Sequence, residues 1–228
     1  VGATLIASQP NWLQFLKMVI CWIFTPIGGA IISYILYRSF EFAISSRIKS
    51  TRKLQRFLKV TMVVAGCYGS YALGANNVAN TTGIYVNTGM IGPLHASLAG
   101  AIAIVIGAAT YSHKVMDTVG NRITIIGPQG AVIATLAHSI TVHIYTQIGV
   151  PVSSSQAIVG AVAGIGLVKG IKAVNGKVMR QIFLGWLLTP VLAGLLSYTA
   201  LFVFNHHVEI LEYLQLVLQW IKNNFFWM

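Results

Sequence analysis

Residues 182 to 204 carry no Asp, Glu, Lys or Arg, and neither do residues 94 to 111. A helix that crosses the hydrocarbon core of a bilayer takes about 20 apolar residues. Backbone polar groups placed in lipid must find partners inside the protein, so runs of this kind become helices. Residues 12 to 37 and 58 to 75 read the same way; the first has Lys17 near one end and Pro26 in its middle, where a kink is expected. Charged residues are only 8% of the 228, against about 25% in a soluble domain. A water-facing surface cannot be covered with so few. The expected fold is an all-α membrane protein, a polytopic helical bundle in the plasma membrane.

The net charge is +11. The cations fall between apolar runs, which is how cytoplasmic loops of membrane proteins are marked, so nucleic acid is not an expected partner. Seven of the 15 basic residues lie in 38–59, read as a basic cytoplasmic loop, with Glu41 the one acid there. Lys169, Lys172, Lys177 and Arg180 form a second basic cluster. Cys21 and Cys67 sit in apolar runs and read as small hydrophobes. His138 and His143 are five apart and read as core histidines; His206 and His207 lack further ligands nearby. Asp117, three after Lys114, reads as half of a loop ion pair or as part of a cation path. The tail, 205–228, reads as an amphipathic, interfacial helix.

WIFTPIGGAIISY (22 to 34) and WLLTPVLAGLLSY (186 to 198) share Trp, Thr, Pro, Ser and Tyr, and Asn11 and Asn175 keep the same offset. This is the mark of an internal duplication. The first copy ends at its basic cluster and the second begins at its own. If both clusters are cytoplasmic, the copies cross the membrane in opposite directions, an inverted-topology repeat of the kind secondary transporters use. Residues 1–37 then hold the last helix of a first repeat, whose remainder would precede Val1, and 60–204 hold the second repeat. A half-size chain pairing with a second copy is the alternative.

Two polar segments interrupt the apolar runs. GANNVANTTG, 74 to 83, places Asn76, Asn77, Asn80, Thr81 and Thr82 between glycines. It is expected to leave the helix and line a cavity, where amide and backbone carbonyls suit a hard monovalent cation; interhelical glue is the plainer reading. PVSSSQAIVGA, 151 to 161, reads as a half-helix starting inside the membrane, with Pro151 before its first turn and Ser153 as N-cap. Free N–H groups and three hydroxyls at such an end suit a tetrahedral oxyanion, or simply cap the helix. Gln129, in GPQG, faces a cavity or caps a loop. No phosphate-cradling GKS/T loop and no paired carboxylates are visible, so no enzyme is expected.

GANNVANTTG resembles the GANDVANA-type signature of the inorganic phosphate transporter (PiT) family of cation-coupled symporters, and PVSSSQAIVGA resembles its PVSTTHAIVGA segment. The intervening VMDTVGNRITIIGPQGA and the W-x-x-TP helix fit the same order, over about residues 1 to 204. The resemblance implies phosphate transport by Na⁺ or H⁺ symport, with no other cofactor. It implies phosphate contacts from Ser153, Ser154, Ser155 and Asn77, and cation contacts from Asn77 and Asn80, with Asn76 and Thr81 beside them. Asn77 stands where the family has Asp, and Gln156 where it has His. Expected partners are inorganic phosphate, a monovalent cation, membrane lipid and a second copy of the chain in a dimer. Transport of sulfate or arsenate, and a non-transporting scaffold subunit, are the competing readings.

Overall fold

The structure, a computed structural model, describes residues 12–45, 47, 50–170 and 173–225. Residues 1–11 with Asn11, and Lys49 and Lys172 of the basic clusters, lie outside the described residues. Seven helices follow in order: α1 (Trp12–Phe40), α2 (Thr51–Leu73), α3 (Ala79–Asn87), α4 (Pro93–Asp117), α5 (Pro128–Ile148), α6 (Ser154–Lys169) and α7 (Gly176–Phe225). Wider, π-type turns occupy Glu41–Ser45, Gly74–Val78 and Thr118–Arg122. Among the described residues, four helices are long and apolar enough to cross a membrane: Trp12–Ala43, Thr51–Asn87, Pro93–Arg122 and Gly176–His206. Contacts gather Leu13–Met179 into one unit and the chain from Arg180 onward into another.

Within the first unit the interior is rich in alanine, glycine, serine and threonine, with valines and isoleucines such as Val132, Ile133 and Ile165 among them, while the outside is large and apolar. Thr25, Ser33, Ala65, Ser139, Ala157 and Ala161 are fully buried, whereas Leu16, Ile23, Phe24, Leu98, Ile102 and Val105 are exposed. Lipid tails are as apolar as leucine, so burying large side chains gains little there; close backbone approach gains more. Glycine supplies that approach. A Cβ on Gly160 of α6 would overlap the Pro26 carbonyl of α1, and one on Gly29 would lie 2.5 Å from the Ala157 carbonyl oxygen. α2 meets α5 similarly, where a Cβ on Gly69 would reach Ser139 Oγ.

α5 and α6 form a hairpin. Gly149 ends α5 in the left-handed region (φ 75°), and Pro151 and Val152 lead to Ser153. Asn175 N–H donates to the Ile123 carbonyl at 2.8 Å, and Lys169 Nζ to the Ile125 carbonyl at 2.8 Å. The entrance to α5 and the exit from α6 are therefore neighbours, and the tip lies at 149–153. α6 has 16 residues, roughly 24 Å of helix, short of a bilayer's hydrocarbon thickness of about 30 Å. This is the expected half-helix, re-entering on the side it came from.

Several expectations change. The basic stretch 38–59 is mostly helical: α1 runs to Phe40 and α2 begins at Thr51, so Arg52, Lys53, Arg56 and Lys59 ride on α2. Ser50 holds the extended N-cap position, and the leucines and long basic side chains that follow favour helix. GANNVANTTG does not unwind. Leu73, Gly74, Val78 and Ala79 all keep right-handed helical dihedrals, so the break is a single widened turn in a continuous helix. Asp117 pairs with Arg122, at 2.9 Å, and not with Lys114. α1 continues through Pro26, and α7 through Pro190 into the tail.

The two copies keep one local device. Thr25 Oγ1 donates to the Cys21 carbonyl at 2.6 Å, and Thr189 Oγ1 to the Gly185 carbonyl at 2.7 Å. In each, the threonine before the helix-interior proline bonds the carbonyl four residues back, as other helical threonines here do; the carbonyl that proline leaves without a backbone donor is the next one, of Trp22 and of Trp186.

Candidate functional site

The first turn of α6 is built by its serines. Ser153 is extended (φ −81°, ψ 113°), and its Oγ accepts from the Gln156 N–H at 3.4 Å. Its carbonyl accepts the Ala157 N–H at 3.1 Å, which starts the helix. A helix leaves its first N–H groups without intrahelical partners, so the N–H groups of Ser154 and Ser155 remain at the tip with the positive dipole end. Ser153 Oγ and Ser155 Oγ share a hydrogen bond at 2.9 Å. Ser154 Oγ shares one at 2.7 Å with His138 Nε2 of α5.

Asn76 joins this tip to the widened turn. It is buried, 4% exposed. Its Nδ2 donates to Thr146 Oγ1 of α5 at 3.1 Å, and its Oδ1 accepts from the Val152 N–H at 3.4 Å and from Asn80 Nδ2 at 3.3 Å. A π turn holds one extra residue and re-aims the side chains on it, which is why such turns recur at functional sites. Here the turn lies near the middle of 60–87, the apolar part of the α2–α3 helix, and the hairpin tip meets it there.

The remaining sequence-derived positions divide. Asn80 belongs to the Asn76 cluster through its amide. Asn77, next to Asn76, is half-buried, and among the described residues its side chain has no hydrogen-bond partner. Thr81 is exposed and its hydroxyl donates to the Asn77 carbonyl at 2.9 Å. Gln156 Oε1 and Gln129 Nε2 are buried without partners. Gln129 lines a cavity of about 1010 Å³ with Lys59 and Lys169, at the open end of the hairpin and away from the serines. His143 bonds Tyr68 and Gln147, a core arrangement as expected. His138, read from sequence as another core residue, sits on the serine turn; a histidine 16 residues before Ser154 signals this only once a hairpin is assumed. Among the described residues no three His, Cys, Asp or Glu gather as metal ligands.

A bundle of apolar helices with a re-entrant hairpin, its polar tip facing a widened turn in a continuous spanning helix, has the build of a membrane transporter. Residues 1–197 match the phosphate transporter family, and the chain belongs to that family, a transporter family and not one of enzymes. A Methanocaldococcus jannaschii protein named as a candidate phosphate permease is 33% identical over 191 residues, covering 84% of this chain and 61% of the relative. The zebrafish (Danio rerio) sodium-dependent phosphate transporter 1-B is 31% identical over 63% of this chain and 23% of its own length. A solved structure titled as the sodium-dependent phosphate transporter superposes with a TM-score of 0.74 at 22% identity, over 86% of this chain and 68% of that one. That likeness establishes the fold as one of a multi-pass membrane protein. The chain spans about 61% of the length of the M. jannaschii relative.

Proposed function

We propose that this chain carries inorganic phosphate across a membrane, coupled to a monovalent cation, with phosphate held at the α6 end by Ser153, Ser154 and Ser155. One observation carries the reading: the Val152 N–H to Asn76 Oδ1 hydrogen bond, which brings the two polar segments together. The α6 N–H groups and serine hydroxyls supply donors for the oxyanion. Asn77, whose amide is uncommitted, completes the phosphate contacts. The side-chain carbonyl oxygens of Asn77 and Asn80, with Thr81 Oγ1, are the ligands offered to Na⁺, while Asn76, whose Oδ1 already accepts from Val152 and Asn80, holds the turn beside them.

The names of the zebrafish relative and of the structural neighbour favour Na⁺ as the coupling ion. Asn77 lowers the negative charge of the site where the family signature has Asp, and Asp117 is already paired with Arg122. Proton coupling is the second form of the same reading. A second copy of the chain, in a dimer, is the remaining partner of this reading.

The test is counterflow of labelled phosphate in proteoliposomes, with Na⁺ and pH varied and sulfate and arsenate as competitors. Exchange that phosphate alone drives supports the reading. Absence of exchange would favour a scaffold subunit, and preferential competition by sulfate would replace the substrate.

A further inference from the structure

Ser154 is the serine of the triplet whose hydroxyl is tied to another helix, through His138 Nε2 at 2.7 Å. A hydroxyl has one proton to give. When Nε2 is a bare lone pair, the Ser154 proton is spent on the imidazole and only oxygen lone pairs face the tip, which repel an anion. When Nε2 carries a proton it donates to Ser154 Oγ, and the serine proton is released toward the oxyanion. A doubly protonated ring adds a positive charge beside the same atom. We infer that His138 is a positioning residue through which oxyanion binding at the hairpin tip takes up a proton: the neutral Nε2–H tautomer also turns the Ser154 hydrogen bond, but only the doubly protonated ring adds a positive charge there for the anion to favour. The inference rests on the phosphate reading of that tip and names a proton as a partner of the bound anion.

The neighbouring elements leave this imidazole little competition. On α5 itself, His143 has both ring nitrogens engaged, by Tyr68 and Gln147, and Tyr145 bonds Thr25 of α1. α2 carries Cys67, Tyr68 and Tyr71 along this stretch, with Lys59 at the cavity near Gln129. α1 carries Cys21, Tyr34 and Tyr37, with Lys17 and Arg38 toward its two ends. The Gly74–Val78 turn has no ionisable side chain, and the charged residue of α6, Lys169, sits at its far end on the Ile125 carbonyl. Histidine is the side chain that changes charge near neutrality. With Asn in place of Asp at 77, an imidazole reaching the serines from α5 offers the proton-binding group that the turn lacks.

The experiment measures phosphate binding to the purified full chain in lipid nanodiscs, by calorimetry, from about pH 6 to about pH 8, around the imidazole range. His138→Gln keeps a side chain that can donate and accept but does not titrate. Phosphate's own ionisation in this range is common to both proteins and cancels in their ratio. Wild type is expected to lose about fivefold more affinity than His138→Gln across the window, because binding favours the protonated ring. Carbon-13 spectra of labelled histidines in wild type, with and without phosphate, read the protonation of His138 directly and decide the matter if the variant does not fold. Phosphate binding with identical pH profiles and an unmoved His138 resonance would overturn the inference alone. Absence of phosphate binding at every pH would overturn both it and the reading it rests on.

Discussion

At the residue scale the molecule turns on two adjacent asparagines with different work. Asn76 spends both ends of its amide inside the protein, on Thr146, Val152 and Asn80. Asn76→Ala strands those partners in a buried site, which costs about 1–3 kcal/mol. Thermal unfolding in detergent should show a lowered midpoint; an unchanged midpoint would remove Asn76 as the link between turn and hairpin. Asn77→Ala should leave that midpoint in place while weakening phosphate and cation binding, because its amide serves no described neighbour. Asn77→Asp returns a carboxylate to the turn. Uptake by proteoliposomes at graded Na⁺ should then depend more steeply on Na⁺ than in wild type, and an identical cation profile would take position 77 out of the coupling site.

At the scale of elements, the hairpin is positioned by glycine. α6 lies against the backbone of α1 at Gly160 and Gly164, where a Cβ would strike Pro26 and Ala30. Overpacking of this kind costs typically about 1–3 kcal/mol. Gly160→Ala is therefore expected to lower the unfolding midpoint, while Gly66→Ala, on α2 with open space around it, should hold or raise it, since alanine favours helix. Equal effects at the two positions would deny the close α1–α6 crossing. The start of α6 was legible in the sequence because Pro151 and Ser153 mark a helix start by local chemistry. The widened turn was not. Nothing local distinguishes a π turn from an unwound one, and here Asn76 reaches another helix only after folding. His138 is half-buried and hydrogen-bonded, as expected of a satisfied core histidine, but its partner comes from the returning helix of the hairpin, and spacing along one helix could not reveal that partner.

At the scale of the whole molecule, the arrangement suits lipid. Alanine, valine and hydroxyl side chains with a few isoleucines fill the interior of the Leu13–Met179 unit, and leucine, isoleucine and phenylalanine coat its exterior. The near absence of charge in the long runs announced this. The central claim is that the α6 end receives phosphate. Binding of labelled phosphate to the purified full chain, at fixed pH and Na⁺, tests it when wild type is set beside Ser154→Ala and Ser155→Ala. The account predicts saturable binding by wild type and at least about a tenfold weakening in each variant, the loss of about 1.4 kcal/mol, with unfolding midpoints that show both variants folded. Folded variants that bind phosphate as wild type does would contradict it.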